Sequence, residues 1–187
     1  MKHPDRYTGI GIINHWITAL LVTAMLALGL AGGAAPTEDM EHYVIGVHNS
    51  LGFFTLLFVL WRIGYRLRRG FPPALGETAW EQRLARITHG LILLALLLMV
   101  LTGPLYLFTE GEGMDVFGWF TVAIPLESLS VIHEPVESIH IWLGVYGLPV
   151  LLVLHIAGAI RHYLGRESED PGDLQGARPG AGSEKRG

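Results

Sequence analysis

Cysteine is absent from all 187 residues, and that absence removes whole classes of chemistry. Disulfides, iron–sulfur ligation, covalent c-type haem attachment and thiol catalysis are excluded. Charge is scarce as well: 16% of residues are Asp, Glu, Lys or Arg, against about 25% in a typical soluble domain. No carboxylate pair, activated nucleophile or phosphate-binding glycine loop stands out, so hydrolytic and transferase chemistry have no carrier. The basic residues flank apolar runs rather than forming a patch of their own, which leaves nucleic acid without support as a partner. Any metal chemistry must come from histidine, carboxylate or methionine.

What the chain has is apolar length. Half of it is hydrophobic and its mean hydropathy is +0.40. The hydrophobic residues gather in four runs, over about 11–35, 44–65, 87–108 and 139–164. Each is longer than the roughly 20 residues needed to cross the hydrocarbon of a bilayer. The expected fold is all-α: an integral-membrane four-helix up-and-down bundle in the lipid bilayer, occupying residues 1–166. The first run reads as a span rather than a cleaved signal, because of its length and a histidine that matches later ones. Residues 167–187, rich in Gly, Pro and charge, read as a disordered tail.

Charge placement orients the bundle. With four spans, both termini and the middle loop share one side. All 13 Lys and Arg residues fall on that side or in the helix ends facing it. The two opposite loops carry Glu38, Asp39 and Glu41, then Glu110, Glu112, Asp115, Glu127, Glu134 and Glu137, with no basic residue. The positive-inside rule therefore places both termini in the cytoplasm, N-in and C-in, in a bacterial inner (plasma) membrane.

Of the six histidines within the bounds of these runs, those at 15, 48, 140 and 155 stand out. Imidazole is costly in hydrocarbon unless it binds something, so each is a functional candidate. The plain alternative, a hydrogen bond to a neighbouring helix, accounts for any one of them singly. Their depths are harder to explain that way. His48 and His140 lie near the outer face. His15, His89 and His155 lie near the inner one, and an inner pair must be drawn from those three. His155 is fifteen residues beyond His140, about 22 Å deeper at 1.5 Å per residue. On an ideal helix that interval leaves the two about 60° out of line, and Pro149 lies between them, where a kink could realign them. Two pairs at two depths are what a pair of stacked b-type haems requires, each iron held six-coordinate between two imidazoles and suited to passing single electrons. Gly46, Gly52, Gly90, Gly144, Gly147 and Gly158 would let a flat macrocycle approach the backbone. His42 and His133 in the outer loops and His3 near the start read as solvated. Trp16, Trp61, Trp80, Tyr163 and His162 read as interfacial residues.

Taken in order, these segments resemble the bacterial cytochrome b561 family, a branch of the group that includes the cytochrome b subunits of nickel–iron hydrogenases and formate dehydrogenases. The resemblance rests on Arg6-Tyr7, Ile13-Asn14-His15-Trp16, Val47-His48-Asn49-Ser50-Leu51-Gly52, Trp61-Arg62, Pro72-Pro73, Ala85-Arg86-Ile87-Thr88-His89-Gly90, Ser138-Ile139-His140 with Gly144, and Leu154-His155 followed by Arg161-His162-Tyr163. It covers the chain from Arg6 to about Leu164. The resemblance implies iron ligation by His15 with His155 on an inner haem b and by His48 with His140 on an outer one. The interval of fifteen residues between His140 and His155 is one longer than the family pattern, which bears on the rotation of His155 and not on its depth.

The function this implies is a di-haem membrane cytochrome of the respiratory chain. It would transfer single electrons between a membrane quinone, the expected substrate, and a second redox partner. Quinone oxidoreduction is the enzymatic activity open to it. Contacts to quinone or to haem propionates fall to His89, His162, Arg6 and Arg62, since arginine binds carboxylates in bidentate fashion. A superoxide:quinone oxidoreductase is an alternative, but steering of a small anion needs positive potential, and the outer loops are wholly acidic. A haem b subunit of a larger dehydrogenase or hydrogenase would instead purify with its redox partner protein, whereas a free-standing carrier would purify alone or as a homodimer. A non-redox transporter working through a histidine relay is the reading from another class, and it would be colourless.

Overall fold

The computed structural model describes residues 9–70 and 78–168. Helix α1 spans Gly9–Gly33, α2 Glu38–Arg69 and α3 Ala79–Glu110. A two-stranded antiparallel hairpin follows, β1 (Met114–Val116) with β2 (Phe120–Val122), and then a 3-10 turn at Glu127–Ile132. The last span is α4 (His133–Trp142), a π-helical turn (Leu143–Gly147) and α5 (Leu148–Ser168), running on without a break. Four helical segments are long and apolar enough to cross a membrane: Gly9–Gly33, Glu38–Arg69, Ala79–Glu110 and Glu127–Leu164. The fold is the expected membrane bundle of four spans. The Pro72-Pro73 loop, Arg6, His3 and the residues from 169 on lie outside the described residues, whereas Glu167 and Ser168, expected in the tail, continue α5.

The helices outrun their apolar cores because their ends are capped. The Thr37 side chain accepts the Met40 N–H at the start of α2, whose first turn holds Glu38, Asp39 and Glu41 against the positive end of the helix dipole. Thr78 and Glu81 form a reciprocal capping box on α3. Gly111 ends α3 in the left-handed conformation, which costs glycine nothing.

Lipid tails are as apolar as leucine, so close packing and not water exclusion holds such helices together. A small core of Val22, Val59, Ala95, Leu96, Val100 and Leu148 runs between all four spans. Large side chains such as Leu20, Val153 and Leu164 face outward. At the end that carries the acidic loops, termed outer after the expected orientation, α1 and α2 touch through Gly32, where an added Cβ would run into the Ile45 side chain.

Two features depart from the expected loops and helices. The segment after α3 is built rather than irregular. Ser50, 3% exposed on α2, accepts the Phe117 N–H at 3.0 Å, and its one hydroxyl hydrogen faces the carbonyls of Gly46 at 2.9 Å and Asp115 at 3.0 Å. Phe117 stacks on Phe54, and Phe120 meets Phe53 edge-on. The hairpin turn puts Phe117 at φ 52°, a position disfavoured for any residue but glycine. The second departure is in span four. A π-turn, closed by the Leu148 N–H on the Leu143 carbonyl, stands immediately before Pro149. A π-turn absorbs one inserted residue, so the fifteen-residue interval behaves rotationally as fourteen, about 40° off in the opposite sense. The realignment falls where Pro149 pointed, but an inserted residue supplies it.

Candidate functional site

The outer pair is built from α2 and α4. The rings of His48 and His140 are 6.3 Å apart between centroids and cross at 88°. A metal bound about 2 Å from each of two imidazole nitrogens sets the ring centres roughly 6 Å apart, so this gap fits one iron. Each ring is seated against a glycine of the preceding helix. A Cβ on Gly29 would stand 3.4 Å from the His48 Cε1, and one on Gly103 would stand 3.1 Å from the His140 Cε1. The His140 Nδ1 lies 3.1 Å from the Thr102 hydroxyl. The His48 Nδ1 is buried and makes no hydrogen bond.

The inner pair comes from α1 and α5. His15 and His155 are again 6.3 Å apart between centroids, crossing at 84°. His89 was the third inner candidate. Its ring centre lies 5.0 Å from that of His155, in an edge-to-face contact. That is ordinary aromatic contact, too close for a metal shared between the two. His89 therefore sits beside the inner pair rather than across from it.

Around the inner pair the bundle is polar. Asn14, 1% exposed, accepts a hydrogen bond from the Arg62 guanidinium at 3.4 Å, while its Nδ2 has no partner. Thr18, 2% exposed, donates to the Asn14 carbonyl. The His162 Nε2 is likewise buried without a partner. Leaving such donors unpaired in a low-dielectric interior costs about 1–3 kcal/mol each, so these are positions where a polar ligand group is stabilised. The Arg161 guanidinium pairs with Glu81, tying α5 to the start of α3.

Several candidates move. His133, expected to be solvated, is half-buried; its Nδ1 lies 3.1 Å from the Thr109 hydroxyl and its ring packs on Tyr106. His42 is exposed, as expected. Of the glycines, Gly46, Gly90 and Gly158 have open space where a Cβ would be, whereas Gly52 and Gly144 face the methyl groups of Met25 and Met99. Gly29, Thr102 and Gly103 were not apparent from the sequence, and Asn14 was apparent only as part of a motif, without its contact to Arg62. Thr102 offered the clearest signal, a hydroxyl directly after the apolar run Leu96-Leu97-Leu98-Met99-Val100-Leu101.

The family described as prokaryotic cytochrome b561 matches residues 6–169 of the chain. Cytochrome b561 homolog 2 of Escherichia coli (strain K12) is 29% identical over 182 residues, which cover 90% of this chain and 96% of the relative.

Proposed function

The chain belongs to the prokaryotic cytochrome b561 family, as a multi-pass membrane haem protein of electron transfer, and from that premise we propose that it carries two haem b groups and moves single electrons between a membrane quinone and a second redox partner. The observation that carries the reading is the twofold recurrence of one geometry. His48 with His140, and His15 with His155, present crossed rings at the same 6.3 Å. When bound between each pair, haem b supplies a reversible one-electron iron centre. The protein's part is to hold neutral imidazoles at two depths and to keep water from them.

The inner polar residues take the remaining roles. Arg62, held by Asn14, offers its guanidinium to a propionate carboxylate. His89 and His162 lie at the same end, where a quinone headgroup needs donors for its oxygens and a source of protons. Arg6 belongs with them by position in the sequence. The gathering of all 13 Lys and Arg residues on one side supports a chain of the bacterial inner membrane with both termini in the cytoplasm.

Haem content tests this directly. A pyridine haemochrome assay on detergent-purified protein should give two b haems per chain, one in His48→Ala, one in His155→Ala and two in His89→Ala. A wild-type protein without haem, or a His89 variant that loses one, overturns the assignment.

A further inference from the structure

The two outer seats are copies of each other. Along α1 and α3, His15 matches His89, Val22 matches Leu96, Met25 matches Met99 and Gly29 matches Gly103, all at one constant offset. Along α2 and span four, Val47-His48-x-x-Leu51-Gly52 matches Ile139-His140-x-x-Leu143-Gly144, also at a constant offset. The contacts repeat with the residues. His48 rests on Gly29 while the Met25 methyl fills the space at Gly52; His140 rests on Gly103 while the Met99 methyl fills the space at Gly144. In both hairpins the methionine carbonyl, of Met25 or Met99, faces the imidazole. Val22 and Leu96 meet in the same core. The second hairpin therefore repeats the first around the outer pair, whose two members stand at equivalent positions.

One polar group breaks this equivalence at the outer pair. Thr102 has no twin hydroxyl, because Leu28 stands at the matching position of α1. Thr102 is 7% exposed, and its hydroxyl hydrogen goes to the Leu98 carbonyl at 2.7 Å. With that hydrogen spent, only its oxygen lone pair can face the His140 Nδ1 at 3.1 Å. His140 must then carry its proton on Nδ1, leaving Nε2 as the metal-binding atom. No hydroxyl stands at this place beside His48, whose ring faces the Met25 carbonyl without a hydrogen bond at Nδ1.

We propose that Thr102 is a positioning residue for the outer iron, whose hydroxyl accepts the His140 Nδ1–H, fixes the tautomer and makes one of two otherwise equivalent axial ligands the stronger electron donor. The inference rests on the di-haem reading above. A hydrogen bond accepted from a metal-bound imidazole raises the basicity of that ligand. A more basic ligand favours the ferric state, so the hydroxyl holds the outer midpoint potential down.

The twin supplies a test with two opposite signs. Potentiometric titration of the purified cytochrome resolves its components, and the His155→Ala protein identifies the outer one. Thr102→Val should raise the outer potential and Thr102→Ser should return it towards wild type. Leu28→Thr, which gives His48 a hydroxyl matching that of Thr102, should lower it. The inner potential should stay in place in all three. Two bound haems with an unmoved outer potential in both Thr102→Val and Leu28→Thr would overturn the role of Thr102, as would a shift of the wrong sign or an equal shift of both haems. Absence of haem from the wild type would instead overturn the di-haem reading itself.

Discussion

At the scale of single residues, the candidate ligands were legible and their seats were not. His15, His48, His140 and His155 announce themselves because a polar ring in an apolar run needs a reason. A seat is a contact between helices, and Gly29 or Gly103 looks like any other membrane glycine until His48 or His140 lies on it. The difference in contact predicts a difference in tolerance. A methyl added at Gly103 meets the His140 Cε1 at 3.1 Å, whereas one added at Gly52 meets the flexible end of Met25 at 3.4 Å. Gly103→Ala should displace the ring and reduce outer haem content, with an overpacking cost of about 1–3 kcal/mol. Gly52→Ala should keep both haems. Equal haem content in the two variants would show that the glycine at 103 is not there to make room. The Arg161–Glu81 pair sits at the other extreme. Arg161 is largely exposed, and an exposed pair contributes about 0–1 kcal/mol, so Arg161→Gln should leave the thermal midpoint nearly unchanged.

At the scale of elements, composition announced the four spans, since twenty or more apolar residues have few other fates. Helix ends were harder, because caps such as Thr37 and Thr78 lie in polar sequence beyond the hydropathy signal. The outer hairpin was invisible for a related reason: strands of three residues carry too little alternation to read, and their stability comes from Ser50 and Phe54 on another element. The π-turn was foreshadowed by an interval one residue too long, although nothing in the sequence said whether a bend or an insertion would absorb it. That distinction has a measurable consequence. Deleting Val145 should convert the π-turn to an ordinary α-turn, keep the phase of His155 and leave two haems bound. Inserting an alanine between Val145 and Tyr146 adds about 100° of rotation and should cost the inner haem. Haem counting separates the cases, and loss of the inner haem on deletion would refute the account of the turn.

At the scale of the whole molecule, the repeat of the first hairpin in the second sets the two histidine pairs apart. His48 and His140 stand at matching positions. His15 and His155 do not: the twin of His15 is His89, and once the π-turn's extra residue is counted, Arg62 occupies the position matching His155. The bundle thus has a symmetric outer end and an asymmetric, donor-rich inner end. The lack of any native cysteine makes its orientation easy to read. A single cysteine placed at Glu112 should react with an impermeant maleimide in intact spheroplasts, and one at Arg83 should react only after permeabilisation; the reverse pattern would invert the topology. The outer hairpin has several independent holds: Ser50 accepts the Phe117 N–H, Met114 and Val116 are buried, and Phe54 and Phe53 meet Phe117 and Phe120. A local opening there must release the serine bond and the buried pair together. Ser50→Ala removes the acceptor of the Phe117 N–H and should speed hydrogen exchange at that amide; unchanged exchange would mean that the hairpin is held by something other than the serine.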